Sequence, residues 1–397
     1  MVKFNILFIV LISYAFSPKI GLNNSFIYLQ DILLYSYIGF FVLLGKIETK
    51  YLKIIFIVWF LQMYLFVSFL FTKEIIHLQY FKQLLIFNLL LVPTKYITEN
   101  INTKKIILAW IIIGVANLFL IIFTFFQEHP SFITYLFDYS PKYRIMGMTG
   151  TGIDLLNGVF RSSFNGKEVG TTSISTSILY GLIFLYLCIY KANNKIIVFI
   201  IFFIIIFTFS RAGMLILFFS IFAIYTLPRE KRIRYISNNF IVFISIIILM
   251  ILTIYGLVLI NKFDFSNPDT FITASKRLVL WSAILDFFQL NPEQLTFGLV
   301  LSPKNALNIM NYSYGESLFF DVFLNYGLIG LIAFLLILVI MWSQLYANTN
   351  TKNVEKYTLL LFMPGLTAVN LMAGSSLLTD FMLPLILIMF VKGTSNG

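Results

Sequence analysis

The sequence predicts an all-α polytopic membrane protein, and three observations carry the prediction. Of its 397 residues 59% are hydrophobic and only 11% are charged, whereas a soluble globular domain averages about 45–50% apolar and about 25% charged. Apolar segments of about 20 residues, the length needed to cross a bilayer, recur from one end of the chain to the other. Lys and Arg crowd onto alternate connections, the asymmetry that orients membrane proteins.

Twelve spans fit this pattern, near residues 4–17, 27–45, 54–72, 78–93, 106–126, 173–190, 196–209, 211–227, 238–260, 316–342, 358–374 and 376–391. The first lacks a small-residue cleavage site and further spans follow it, which predicts a retained helix rather than a signal peptide. The next two and the fifth are apolar runs bounded on one side by Lys46, Lys53 and Lys105. The fourth is weaker because Lys82 interrupts it. Cys188, the single cysteine, falls in the sixth; it excludes a disulfide within one chain and predicts a structural thiol. The run from Ile196 to Leu227 contains one charged residue, Arg211. It is too long for one crossing and fits only as two short helices meeting at Ser210-Arg211. The ninth span follows the basic stretch Arg229–Arg234, and the last three follow a long polar connection.

Sixteen Lys and Arg lie on one set of connections, among them Lys46, Lys50, Lys53, Lys95, Lys104, Lys105, Lys352, Lys356 and Lys392. The short connections of the other set hold three: Lys19, Lys73 and Arg211. This bias predicts both termini in the cytoplasm of a bacterial inner membrane. It also accounts for most of the net charge of +11, so no nucleic-acid partner is called for. Residues 1–397 read as a single membrane domain, with no soluble domain attached and no internal repeat. Two connections are too long and polar to be turns, 127–172 and 261–315. Both fall outside, in the periplasm of a Gram-negative cell, and the function is expected there and in the membrane.

Arg211 sits at the predicted outer turn. An arginine at the bilayer centre costs about 2.5–3.5 kcal/mol on insertion scales. Near the outer interface the cost falls, and the backbone N–H groups of the following helix favour an anion at the same point. Arg211 therefore reads as an anion receptor, against the plainer alternatives of a snorkelling side chain or a structural ion pair. The first outer segment adds Lys142, Arg144, Arg161 and Lys167. The second carries Lys276 and Arg277 at the start of a stretch where Leu278, Trp281, Leu285 and Phe288 recur at helical spacing. That stretch predicts an amphipathic helix lying on the interface and ended by Asn291-Pro292. Trp281, one turn after Arg277, is placed to brace its guanidinium. Arginines converging on one outer cavity would suit a ligand with several negative charges, and a pyrophosphate matches bidentate guanidinium geometry.

Other motifs carry less. "GMTGTG" at 147–152 has no Gly-Lys-Ser/Thr after it and reads as loop flexibility. His77 and His129 lack ligand spacing, so neither a metal site nor a cofactor is expected. The most informative acidic stretch is "YSYGESLFFDVFLNYGLIGLIAFLL", 312–336. Glu316 opens an apolar helix there, two residues after Tyr314, with Asp321 five residues on. Helix capping is the plain explanation. The functional one is a general base, partly desolvated and near arginines, taking a proton from a sugar hydroxyl.

With these residues in view, the chain resembles the superfamily of O-antigen ligases and Wzy-type O-antigen polymerases. The resemblance rests on twelve apolar spans, the Ser-Arg-small-Gly turn at Ser210–Gly213, and Arg277 followed by Trp281 in the large outer segment. It rests too on Glu316-Ser317, nine residues, then Gly327-Leu328-Ile329-Gly330. Ligases of this superfamily carry His where this chain has Glu316, so the polymerase branch is the nearer match. The resemblance implies a GT-C-like membrane glycosyltransferase. Its partners would be an undecaprenyl-pyrophosphate-linked glycan donor and acceptor, membrane lipid and, in some systems, a chain-length regulator. It implies pyrophosphate and glycan contacts from Arg161, Lys167, Arg211, Arg277 and Tyr314, with Glu316 catalytic. A ligase passing glycan to lipid A core differs only in acceptor. A flippase or other transporter would instead place charge through the membrane midplane.

Overall fold

The computed structural model describes residues 19–22, 25–28, 48–72, 84–88, 94–128, 173–190, 195–207, 215–218, 285–298, 318–348, 353–372 and 382–395, with a few isolated positions besides. Among them the chain is almost wholly helical. The exception is an antiparallel hairpin, β1 (Lys19–Leu22) with β2 (Ser25–Tyr28), in which Lys19 pairs Tyr28 and Leu22 pairs Ser25. Its second strand overlaps the start of the span expected near 27–45.

The helices are α1 (Leu52–Thr72), entered through a 3-10 turn Thr49–Tyr51, α2 (Thr94–Asn100), α3 (Thr103–Glu128), α4 (Ser173–Ile189) and α5 (Lys195–Phe207). They continue with α6 (Pro292–Phe297), α7 (Leu318–Ala347), α8 (Val354–Met372) and α9 (Met382–Thr394). Helices α1, α3, α4, α5, α7, α8 and α9 overlap expected spans. Two were not expected: α2, in a predicted connection, and α6, which starts at the Asn291-Pro292 predicted only as a stop. Pro292 is at the first helical position, where its missing N–H costs nothing.

Helix α8 packs against α4, α7 and α9, α4 against α5, α5 against α3, and α7 against α1. The core runs through this array. In α9 every residue from Leu383 to Val391 that has a described side chain is buried, as a helix apolar on all sides must be.

Two helices are long and apolar enough to cross a membrane, Thr49–Leu70 and Tyr326–Ala347. Only 39% and 28% of their most apolar windows are buried, unlike the core helix of a soluble protein. Phe56, Phe60, Met63 and Leu70 of α1, with Ile332 and Val339 of α7, are more than half exposed. Such a band is stable where hydrocarbon is the solvent, and in water it would be an aggregation surface.

At one end of the array the helix termini are tied together. Asn353 caps α8 by accepting from the Lys356 N–H at 2.9 Å, and its amide donates to the Lys392 carbonyl at the end of α9 at 2.7 Å. Asn348 donates to Gly393 O at 2.7 Å, and Tyr51 and Thr394 hydroxyls lie 2.6 Å apart. The last carbonyls of a buried helix have no intrahelical donors, and these side chains supply them. Lys356, expected on a connection, lies in the first turn of α8, 6% exposed, donating to Asn348 O.

Candidate functional site

Helix α7 is two helices joined at a kink. Gly327 has φ 60 and ψ −159, a conformation essentially confined to glycine. A Cβ at Gly327 would lie 2.4 Å from Thr296 O and 2.6 Å from Gly298 N, so the end of α6 occupies the space a side chain would need. A Cβ at Gly330 would lie 2.2 Å from Tyr326 Cβ. The Gly-x-x-Gly pair thus has a physical explanation: Gly327 turns the chain and receives α6, and Gly330 makes room for Tyr326 folded over it.

Residues 285–298 are held at this kink by two further contacts. The Tyr64 hydroxyl of α1 donates to Phe297 O at 2.5 Å. The Phe288 ring tilts against Phe323, centroids 4.6 Å apart, on the part of α7 before the kink. Residues 285–290 form one helical stretch, Asn291 breaks it, and α6 follows. The first stretch therefore stops at Asn291-Pro292, and a second short helix follows it.

An apolar groove of about 400 Å³ runs between Phe56, Phe60 and Ile57 of α1 and Ile329, Ile332 and Leu336 of α7. Its upper end reaches the turn after Gly327. Toward the middle of α1, buried Gln62 accepts from the Asn88 amide at 2.7 Å. The Gln62 Nε2 and Asn88 Oδ1 atoms are buried and without a hydrogen-bond partner.

The residues assigned chemistry from the sequence, Glu316, Tyr314, Arg161, Lys167, Arg211 and Arg277, lie outside the described residues, as does Trp281. The helix that Glu316 was expected to open is described from Leu318, two residues later, and Asp321 lies on its segment before the kink. Sequence reasoning missed Tyr64, Thr296 and the Gln62–Asn88 pair. A lone Gln within an apolar run was the one available signal for the last. Among the described residues no group of His, Cys, Asp and Glu could hold a metal ion. Cys188 is a free, partly buried thiol.

Among the described residues, a charge cluster lies at the opposite end. Glu48 accepts from Thr94 Oγ1 at 2.6 Å and pairs with Lys50 at 2.9 Å. Partial burial pushes the carboxyl pKa up, but the Thr94 hydrogen bond and Lys50 together outweigh it and hold the value below the ordinary carboxyl range. No protein-family model matches the chain, and no curated protein matches it significantly.

Proposed function

We propose that this chain is a glycosyltransferase of the bacterial inner membrane that polymerises undecaprenyl-pyrophosphate-linked oligosaccharide repeat units at the outer face. In this reading it has about twelve spans, a GT-C-like architecture and both termini in the cytoplasm. The reaction is direct displacement. An acceptor sugar hydroxyl attacks the anomeric carbon of the donor, the bond from that carbon to the pyrophosphate oxygen breaks, and the lipid pyrophosphate leaves with the electron pair. Glu316 takes the hydroxyl proton. Arg211 and Arg277, with Arg161 and Lys167, bind the pyrophosphate and stabilise its growing charge, and Tyr314 contacts glycan. Configuration at the anomeric carbon inverts, and guanidinium groups supply the positive charge that other transferases take from a metal.

One observation supports this reading above the rest: the docking of the second outer segment on Gly327. The motif that carries the resemblance joins Glu316 to Gly327 across ten residues, and Thr296, seated against that glycine, lies 19 residues after Arg277. The fold thus draws the chain after Arg277 and the chain after Glu316 to one place. The groove between α1 and α7 suits the apolar tail of a lipid-borne donor whose headgroup lies beside the kink. Purified protein given synthetic lipid-linked repeat units, without nucleotide sugar, tests the reading: a ladder of longer glycans is expected, and its absence with the cell's own repeat unit counts against it.

A further inference from the structure

We infer that residues 285–298 form a re-entrant segment: it dips into the outer leaflet and meets lipid, rather than lying on the membrane surface. Two independent counts place its lowest point. Phe297 is held by Tyr64, which lies eight residues inside the Thr72 end of α1, about 12 Å at 1.5 Å per residue. Helix α1, at 21 residues, is about as long as the ~30 Å hydrocarbon core is thick. On α7, the Gln344 amide donates to Lys50 O at the entry to α1, so the two helices are level there. Gly327 lies 17 residues from Gln344, about 26 Å, short of the ~30 Å core, so Gly327 and the backbone seated on it lie within the hydrocarbon layer.

A chain that enters hydrocarbon must satisfy its backbone within the protein, and the turn at Asn291 and the end of α6 do. Asn291 N–H and its side-chain amide both donate to Phe287 O, at 3.0 and 2.9 Å. Gln294 N–H donates to Asn291 O at 3.0 Å, and Gly298 N–H caps α6 at Gln294 O. Tyr64 takes care of Phe297 O, a terminal carbonyl with no helical donor. Leu285, Leu290 and Phe297 are exposed, Leu290 at 82%, which fits contact with acyl chains. Asp286 and Glu293 are exposed as well, and carboxylates need water. A recess open to the outside, with lipid on one flank and water on the other, meets both demands. Lipid-borne molecules would then reach this recess laterally, below the headgroup level.

Depth is measured with a bimane on Leu295→Cys, Leu290→Cys and, as a reference on α1, Met63→Cys, each in a Cys188→Ala background. The full chain is reconstituted in vesicles carrying a nitroxide either on the headgroup or at mid-chain. Leu295→Cys is expected to share the quenching maximum of Met63→Cys, shifted from headgroup to mid-chain nitroxide. Leu290→Cys, at a position far more exposed and thus tolerant of change, is expected to be quenched more by chain than by headgroup nitroxide. A headgroup maximum at both positions, with Met63→Cys still at mid-chain, overturns the inference. That result would leave the glycan-ladder assay untouched, since the inference rests on depth and the proposed reaction on chemistry.

Discussion

The Tyr64 hydroxyl and the Phe297 carbonyl are 2.5 Å apart, and this one bond joins a membrane-length helix to a segment 233 residues later. It does so beside Gly327, so the helix α1, the kink in α7 and the end of α6 share one junction. Tyr64→Phe keeps the ring and removes the bond. A net loss of about 1 kcal/mol is expected, with faster hydrogen exchange confined to residues 292–298. Unchanged exchange there would mean that the ring, not the hydroxyl, holds the segment.

Gly327→Ala is expected to be far more damaging than its size suggests. The backbone conformation alone costs a non-glycine residue about 1–3 kcal/mol, and the new methyl would meet Thr296 O at 2.4 Å. The melting temperature in detergent should fall, and α6 should become accessible to proteases. Full stability in this variant would show that the kink is not required.

Asn353 is expected to separate two roles. Asn353→Ala loses the cap of α8, worth about 1 kcal/mol, and also the donor to Lys392 O. Asn353→Asp keeps an acceptor for the Lys356 N–H but has no donor, so its melting temperature should lie between alanine and wild type. Equal losses in both would assign the whole effect to the α9 contact.

Glu48 sets an acid limit. Its carboxyl pKa is held below the ordinary 4.5 in the folded chain, so the unfolded chain binds the proton more readily. The stabilisation is therefore present above the unfolded value and is lost as pH falls through the folded one. Glu48→Gln should flatten the fall in melting temperature on the acid side of 4.5 while leaving the neutral range nearly parallel to wild type. An unchanged acid slope would exclude this pair as its source.

Apolar run length is a strong signal, and the helices at 52–72, 103–128, 173–189 and 195–207 lie where it points. Boundaries moved where polar residues belong to a helix rather than to its connection. Helix α8 begins at Val354 because Asn353 caps it and Asn348 takes the Lys356 ammonium, so a lysine counted for charge bias proves to be buried. The kink at Gly327 was legible only as a spacing of two glycines. What makes it necessary is the arrival of Thr296 from 31 positions earlier, and no local pattern encodes that approach. Helix α2 is seven residues long, below the length at which periodicity can be told from chance. The chemistry of the candidate site was read from residue types and order, and the junction at Tyr64 was invisible because a tyrosine in an apolar span looks like any other aromatic filler.

The central claim, transfer of a glycan from one lipid carrier to another with Glu316 as base and Arg211 as pyrophosphate ligand, has one direct test. Wild type, Glu316→Ala and Arg211→Ala are each incubated with lipid-linked repeat units and no nucleotide sugar or metal, and the products are separated on a gel. The account predicts a ladder from wild type alone, with both variants still folded by melting temperature. A ladder from Glu316→Ala would contradict the assignment of the base. Glycan appearing only on added lipid A core, with no ladder on the carrier, would contradict the polymerase and identify a ligase.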